Sequence, residues 1–263
     1  MSAGRGDISP DTSLTEEQLA RYDRDGYLIL EAAFTAEECD IYRERMIRLE
    51  SRKATLEGFS IQEMYRRTFN QHLYDEACKA WMIDARLRQP LEDIVGGKVE
   101  AIQTMHFFIG SEHGNHQDQH YLPDCLATWI PFENVSRRNG TIYVIPGSHK
   151  RRLVTKQDVP KPEEMSYADH QHTIYFPEVE NISRSSGVDP VLVEINKGDV
   201  CIFHGRTIHG GVIPTEPGST RHVLASHYIP YASENWDRDW PRISFDGTSR
   251  IRYKLPTGET VIE

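Results

Sequence analysis

The pattern of apolar and polar positions divides the chain near residue 98. Upstream, Thr15-Glu16-Glu17-Gln18 has the spacing of a capping box, in which a threonine hydroxyl and a glutamine side chain satisfy one another's free backbone donors. A short helix is expected to follow through Arg24, and Asp25-Gly26 ends it. The apolar run at 27–30 reads as a short buried strand, and Thr35-Ala36-Glu37-Glu38 repeats the cap signal ahead of a helix over 39–49. Residues 60–95 read as helical too, with Gly96-Gly97 as terminator.

Beyond Lys98 the chain turns to short segments rich in β-branched and aromatic residues. Strands are expected at 99–109, 115–121, 125–134, 141–145, 191–196, 200–203 and 221–229. Turn residues separate them at Arg138-Asn139-Gly140, Pro146-Gly147-Ser148, Lys197-Gly198-Asp199 and Pro217-Gly218-Ser219. Many short strands without helices between them predict a sandwich or jelly roll rather than a parallel sheet. Residues 150–187, polar and proline-containing, read as one long inserted loop, of the kind that serves as a lid or binding wall. Residues 14–263 are thus expected to form one domain behind a mobile N-terminal tail, 1–13, in which Arg5-Gly6-Asp7 is a chance tripeptide.

Composition narrows the partners. Thirty Lys and Arg against 40 Asp and Glu give a net charge of -10, which argues against a nucleic-acid backbone and favours neutral or cationic small molecules. Cys39, Cys78, Cys125 and Cys201 are scattered, without a CxxC pair, and read as reduced packed thiols. No apolar run approaches the roughly 20 residues that span a bilayer, and the first residues carry no secretion signal. The expectation is a cytoplasmic protein, monomeric or homodimeric, with no membrane or nucleic-acid partner.

Candidate chemistry concentrates in the stretch from His113 to Asp124, which holds His113, His116, Asp118, His120 and Asp124. On a strand, His116, Asp118 and His120 would share one face. At about 3.3 Å per residue, however, His116 and His120 lie roughly 13 Å apart. That is too far for all three to sit about 2 Å from one ion. A His-x-Asp pair therefore supplies two ligands and requires a third from a distant segment, the 2-His-1-carboxylate arrangement that leaves open positions on Fe(II). Candidates are His149, His170, His172, His204, His209, His222 and His227. His204 and His209 both follow the apolar run 200–203, and His209 is also followed by Arg221, at the start of the next expected strand. An arginine there can hold a dicarboxylate by a bidentate pair.

Taken together, His116-Gln117-Asp118 with His120, Tyr121 and Pro123, Asn139-Gly140, Pro146-Gly147-Ser148-His149, Gly198-Asp199, Ile208-His209-Gly210 and Arg221 resemble the phytanoyl-CoA dioxygenase family of Fe(II)- and 2-oxoglutarate-dependent oxygenases. The N-terminal run 25–30 also resembles that family, and the likeness extends from about Leu14 to Pro230. It implies a mainly β fold, a double-stranded β-helix (a cupin-like jelly roll) with supporting N-terminal α-helices. It also implies Fe(II) held by His116, Asp118 and His209, 2-oxoglutarate held at its distal carboxylate by Arg221, and O2 as oxidant. Gln103 and Thr141 fall where the family places polar contacts to the co-substrate, and Trp129 where it walls the pocket. The family's lysine and prolines ahead of the His-x-Asp pair, and a tryptophan just before the histidine, are missing from 107–115. Asp118 is kept, whereas relatives that halogenate replace it, which favours hydroxylation or a related oxidation.

The reaction so implied oxidises an unactivated C–H bond while 2-oxoglutarate is converted to succinate and CO2. His120 and Tyr121, with Trp129, are the expected substrate contacts, and the acidic balance points to a small polar or amine-bearing compound of specialised metabolism. Two other readings use the same residues: a cupin-like metalloenzyme that does not need 2-oxoglutarate, and a non-catalytic jelly-roll module that binds a ligand. Arg221 argues against the first and the complete ligand set against the second.

Overall fold

The computed structural model describes residues 9, 11–110, 113–235 and 239–263. Arg5-Gly6-Asp7 lies outside them, as does most of the expected tail; within its described part, the Asp11 carboxylate pairs with Arg88.

Helix α1 (Glu16–Asp25) starts at the expected capping box, with Gln18 N donating to Thr15 Oγ1 and Thr15 N to Gln18 Oε1. It stops at Gly26, whose φ of 81° suits glycine and whose missing side chain leaves room for the His149 ring. Strand β1 (Tyr27–Leu30) and helix α2 (Ala36–Glu50) follow, the latter capped by Thr35 and Glu38. Helices α3 (Glu76–Met82) and α4 (Ala85–Val95) complete the N-terminal layer, α4 ending at Gly96 in the left-handed region.

Glu38 also binds Arg86 across α2 and α4, Nη2 to Oε1 at 2.9 Å. That pairing pulls its carboxyl down to about 2, against partial burial and helped by the Thr35 cap. The folded value lies below the unfolded one, so this stabilisation is complete above the ordinary carboxylate pKa and disappears as pH falls towards about 2. The pair is partly exposed and screened, so Glu38→Gln is expected to cost about 0.5 kcal/mol at pH 7 and less at low pH. Urea unfolding at pH 7 and pH 3 checks this, and an equal cost at both would contradict it.

One expectation fails here. Residues 60–70 are not helical: Arg66 and Asn70 take positive φ, and the segment runs along the edge of β2 (Val99–Phe107). Thr68 N donates to His106 O, Asn70 N to Thr104 O and Phe108 N to Arg66 O. The backbone donors that a helix would have satisfied internally are taken by an open strand edge.

The remaining strands are β3 (His113–His116), β4 (Leu126–Pro131), β5 (Ile142–Val144), β6 (Val191–Leu192), β7 (Val200–His204), β8 (His209–Gly211), β9 (Val223–Pro230), β10 (Arg242–Ile243), β11 (Ser249–Arg250), β12 (Arg252–Lys254) and β13 (Thr260–Ile262). They form a large sheet in the order β1-β7-β4-β9-β2-β10-β11, a smaller one in the order β3-β8-β5-β6, and a separate β12-β13 hairpin. All pairings are antiparallel among the described residues. This is the expected double-stranded β-helix, mainly β with supporting N-terminal helices.

Period-2 alternation sorts the large sheet's side chains into two cores. Leu126 and Ile130 of β4, Ile202 of β7 and Leu224 and Tyr228 of β9 face the helices, packing with Met46, Met82 and Leu87. Ala127, Trp129, Cys201, Phe203, Val223 and Ala225 belong instead to the core that also holds Ile142 and Val144 of the small sheet. Both faces of the sheet are therefore buried, and the functional site lies between the sheets.

The insertion departs from expectation as well. It is not a loop throughout: α5 (Tyr167–His170), a π-helical turn (Gln171–Tyr175) and α6 (Phe176–Ser186) form one helical run, and α6 packs on β3. Pro177, one of the prolines that make the stretch read as a loop, follows directly on the π-helical turn, inside this run. All four cysteines are free and buried. Among the described residues no helix is long and apolar enough to cross a membrane.

Candidate active site

Strands β3 and β8 are antiparallel neighbours, and their register places His116 directly opposite His209. Facing residues in such a pair have Cβ atoms only about 5 Å apart. The chain then leaves strand geometry: residues 118–120 form a 3-10 turn, not the strand expected over 115–121. That turn brings the Asp118 carboxylate to the two rings, Oδ1 lying 3.6 Å from His116 Nε2 and 3.8 Å from His209 Nε2. The donor atoms of all three buried side chains lie within 4.8 Å of one another, so they could hold a metal ion.

Hydrogen bonds select the nitrogen each histidine would offer. His116 Nδ1 donates to Gly114 O and His209 Nδ1 to Thr207 O, both at 2.9 Å. Each Nε2 is then left as a lone pair facing Asp118, which is the tautomer a metal requires. Burial, with the His209 and His113 rings, pushes His116 well below its usual pKa, so its ring is neutral. Burial also acts to raise Asp118, but His209, His227 and His116 outweigh it and hold the carboxyl below its usual range. His227 Nε2 donates to Asp118 Oδ2 at 3.1 Å and orients it.

Gln117, between the two donors, is fixed from both sides. Its N–H donates to Tyr175 Oη at 2.9 Å and its carbonyl accepts from the same hydroxyl at 3.1 Å. Its side chain bonds Arg152 O, Arg206 O and Val154 N. Tyr175, fully buried in the π-helical turn, therefore clamps the segment that carries His116 and Asp118.

Two cavities meet at these donors. The inner one, about 80 Å3, is bounded by Phe107, Trp129, Ile142, Phe203, Ala225 and Arg221. Arg221 is buried, with Nη1 donating to Gly140 O at 3.0 Å and Nε lacking a partner among the described residues. Gly140 adopts a φ of 85°, and a Cβ there would lie 2.9 Å from Gly110 Cα, so the Asn139-Gly140 turn depends on glycine. Burial draws the Arg221 guanidinium down to about 10, so it stays charged at neutral pH. The outer cavity, about 370 Å3, is bounded by Gln103, Tyr121, Tyr167, Gln171 and Trp240, and shares Arg67 and His113 with the inner one.

Other expected contacts fall elsewhere. The Thr141 hydroxyl borders neither cavity and is spent instead on Val193 O, at one end of the β5–β6 pairing. His120 is also absent from both cavity walls, contrary to its expected substrate role. The 3-10 turn points it into the insertion, where Nδ1 donates to Val154 O at 2.8 Å and the ring stacks on Tyr175 at 3.9 Å. Among the rival histidines, His149 bonds Asp23 O, His170 bonds Val159 O, His204 accepts from Arg206 N, and His222 pairs with His106. The His172 ring packs against Phe176. Sequence reasoning missed Tyr175, Arg67 and Gln171, and it offered His227 only as a candidate ligand, whereas the structure bonds it to Asp118.

A double-stranded β-helix with a buried pair of histidines and a carboxylate beside a cavity that ends at a buried arginine defines a non-haem iron dioxygenase of the 2-oxoglutarate-dependent class, which uses Fe(II), 2-oxoglutarate and O2. The chain belongs to the phytanoyl-CoA dioxygenase family, whose sequence profile matches residues 22–212. Phytanoyl-CoA dioxygenase 1 of Oryza sativa subsp. japonica is 28% identical, over 88% of this chain and 94% of its own. Among solved structures, EctD from S. alaskensis with 2-oxoglutarate and 5-hydroxyectoine aligns with a TM-score of 0.64 at 22% identity, covering 86% of this chain and 82% of its own. SnoK, an alpha-ketoglutarate-dependent carbocyclase from nogalamycin biosynthesis, aligns at 0.63 and 18% identity, covering 86% and 87%. At such identities these two likenesses establish the fold.

Proposed function

We propose that this protein hydroxylates, or otherwise oxidises, an unactivated C–H bond of a small metabolite. In this reading His116 Nε2, His209 Nε2 and the Asp118 carboxylate hold the iron, and Arg221 receives the distal carboxylate of 2-oxoglutarate in the inner cavity. The observation that carries it is the convergence of three buried donors on the junction of two cavities, the inner one ending at an arginine without a carboxylate partner among the described residues. Iron, 2-oxoglutarate and O2 supply the oxidising power, with succinate and CO2 as by-products.

The chain's own residues do the rest. The carbonyls of Gly114 and Thr207 hold both imidazoles in the metal-binding tautomer, and His227 orients the carboxylate. Phe107, Trp129 and Phe203 exclude water around Arg221 and strengthen its attraction for an anion. Gln103, on the outer wall beside the donors, offers its amide to the co-substrate or substrate. Tyr121 contributes to the substrate wall. Residues 14–263 serve this site as one domain, and the four free thiols support a reducing, cytoplasmic setting for a monomer or homodimer.

Succinate release with and without Fe(II), O2 and a panel of small acids, amides and amines tests the proposal. Substrate-stimulated succinate formation that a chelator abolishes is expected. Metal-dependent turnover of a panel member without 2-oxoglutarate would contradict it. The Tyr175 clamp gives a second test: Tyr175→Phe removes both bonds to Gln117 and is expected to weaken Fe(II) binding about tenfold. Anaerobic Fe(II) titration checks this, and an unchanged affinity would show that Tyr175 does not support the site.

A further inference from the structure

Among the described residues, two groups at the outer cavity have donors left without a strong acceptor. Arg67 lies on the segment along the β2 edge and borders both cavities. Its Nε donates to Gln62 Oε1 at 3.0 Å, while Nη1 meets only the sulfur of Met105, a weak acceptor, at 2.9 Å. Among the described residues no carboxylate pairs with it. Its charge is set instead among rings, 4.7 Å from the centre of Tyr65, 5.6 Å from Phe107 and 5.8 Å from Phe69.

The second group is Gln171, at the start of the π-helical turn and 5% exposed. Tyr121 Oη donates to its Oε1 at 2.5 Å, which leaves Nε2 buried without an acceptor among the described residues. A buried donor left unmade costs about 1–3 kcal/mol. Single π-helical turns often mark functional sites, and this one places Gln171 on the cavity and Tyr175 on the donor segment at once. Both groups seek oxygen acceptors, while Phe69, Met105, Leu122 and Trp240 make much of the remaining wall apolar.

Arg67 also borders the inner cavity, so 2-oxoglutarate is the competing ligand. Arg221 borders the inner cavity alone, whereas the Arg67 guanidinium also lies 5.8 Å from the ring of Phe69, which borders the outer cavity alone.

Resting on the proposed oxygenase reading, we propose that the outer cavity selects substrates with a carboxylate on an apolar or aromatic body, with Arg67 and Gln171 Nε2 receiving the carboxylate. Local charge then overrides the acidic balance of the whole chain, and the amine-bearing substrate suggested by composition is disfavoured.

The test uses 3-phenylpropionate, its amide and 3-phenylpropylamine as probes, titrated by calorimetry under anaerobic conditions with and without Fe(II) and 2-oxoglutarate. The wild type is expected to bind the acid at least about tenfold more tightly than the amide or the amine. Arg67→Met should abolish that preference, Arg67→Lys should restore part of it, and Arg67→Glu should shift it towards the amine. Gln171→Leu should weaken the acid by about threefold. A wild type without acid preference, or an Arg67→Met protein that keeps it, would overturn the proposal. So would an Arg67→Met protein whose 2-oxoglutarate affinity falls as far as its affinity for the acid, since Arg67 would then serve the co-substrate. Failure of the wild type to bind Fe(II) and 2-oxoglutarate at all would instead refute the oxygenase reading, and the acid-to-amide ratio without them would still decide the role of Arg67.

Discussion

Replacing His116 or His209 by alanine is expected to lower Fe(II) affinity by about a hundredfold or more, because each supplies a ligand atom rather than an outer support. The effect should be local. Each ring's other nitrogen holds only a nearby carbonyl, Gly114 O or Thr207 O, so the fold loses little when either side chain goes. Asp118→Ala should behave alike and also release His227 Nε2 from its hydrogen bond. His120→Ala and His204→Ala should retain iron, because their rings are committed to Val154 O, Tyr175 and Arg206 N. Metal content after anaerobic loading and desalting measures all five. Iron lost from the His204 variant but kept in the His209 variant would place the site elsewhere.

Arg221→Ala is expected to raise the 2-oxoglutarate requirement roughly a hundredfold, about 3 kcal/mol, while iron still binds. The magnitude follows from the surroundings: the guanidinium is buried beside Phe107 and Trp129, and a carboxylate brought there without its partner would be desolvated and unpaired. Arg221→Lys should recover only part of the affinity, since an ammonium cannot reproduce the planar two-point contact. Titration of 2-oxoglutarate against succinate release reads both variants, and an unchanged requirement in Arg221→Ala would remove the arginine from the co-substrate site.

Much of this site was legible because its parts sit in short local patterns. The His116-Asp118 spacing, the Asn139-Gly140 turn and the His209 to Arg221 succession are each readable within a few residues of a turn or strand end. The strand geometry used to separate His120 from the metal was wrong in form: a 3-10 turn, not distance along a strand, carries it away. It also carries it past the cavity, which the alternation argument could not foresee. Arg67 was hidden because 60–70 has helix-like composition, yet its backbone donors are claimed by His106 O and Thr104 O on a strand more than thirty residues later in the chain. Register of that kind is set by long-range pairing and leaves no local period. Tyr175 and Gln171 were hidden because the polar, proline-containing stretch 150–187 reads as a loop, whereas a helical run from Tyr167 to Ser186 occupies part of it. Thr141 shows the reverse error, a polar residue placed by motif whose hydroxyl is consumed by its own sheet.

An anaerobic crystal structure with Fe(II) and 2-oxoglutarate, with the metal located by anomalous scattering at the iron edge, tests the central claim most directly. The account predicts one iron bonded to His116 Nε2, His209 Nε2 and the Asp118 carboxylate, with the distal carboxylate of 2-oxoglutarate on Arg221. Iron centred on any other histidine, or 2-oxoglutarate bound with Arg221 unengaged, would contradict it.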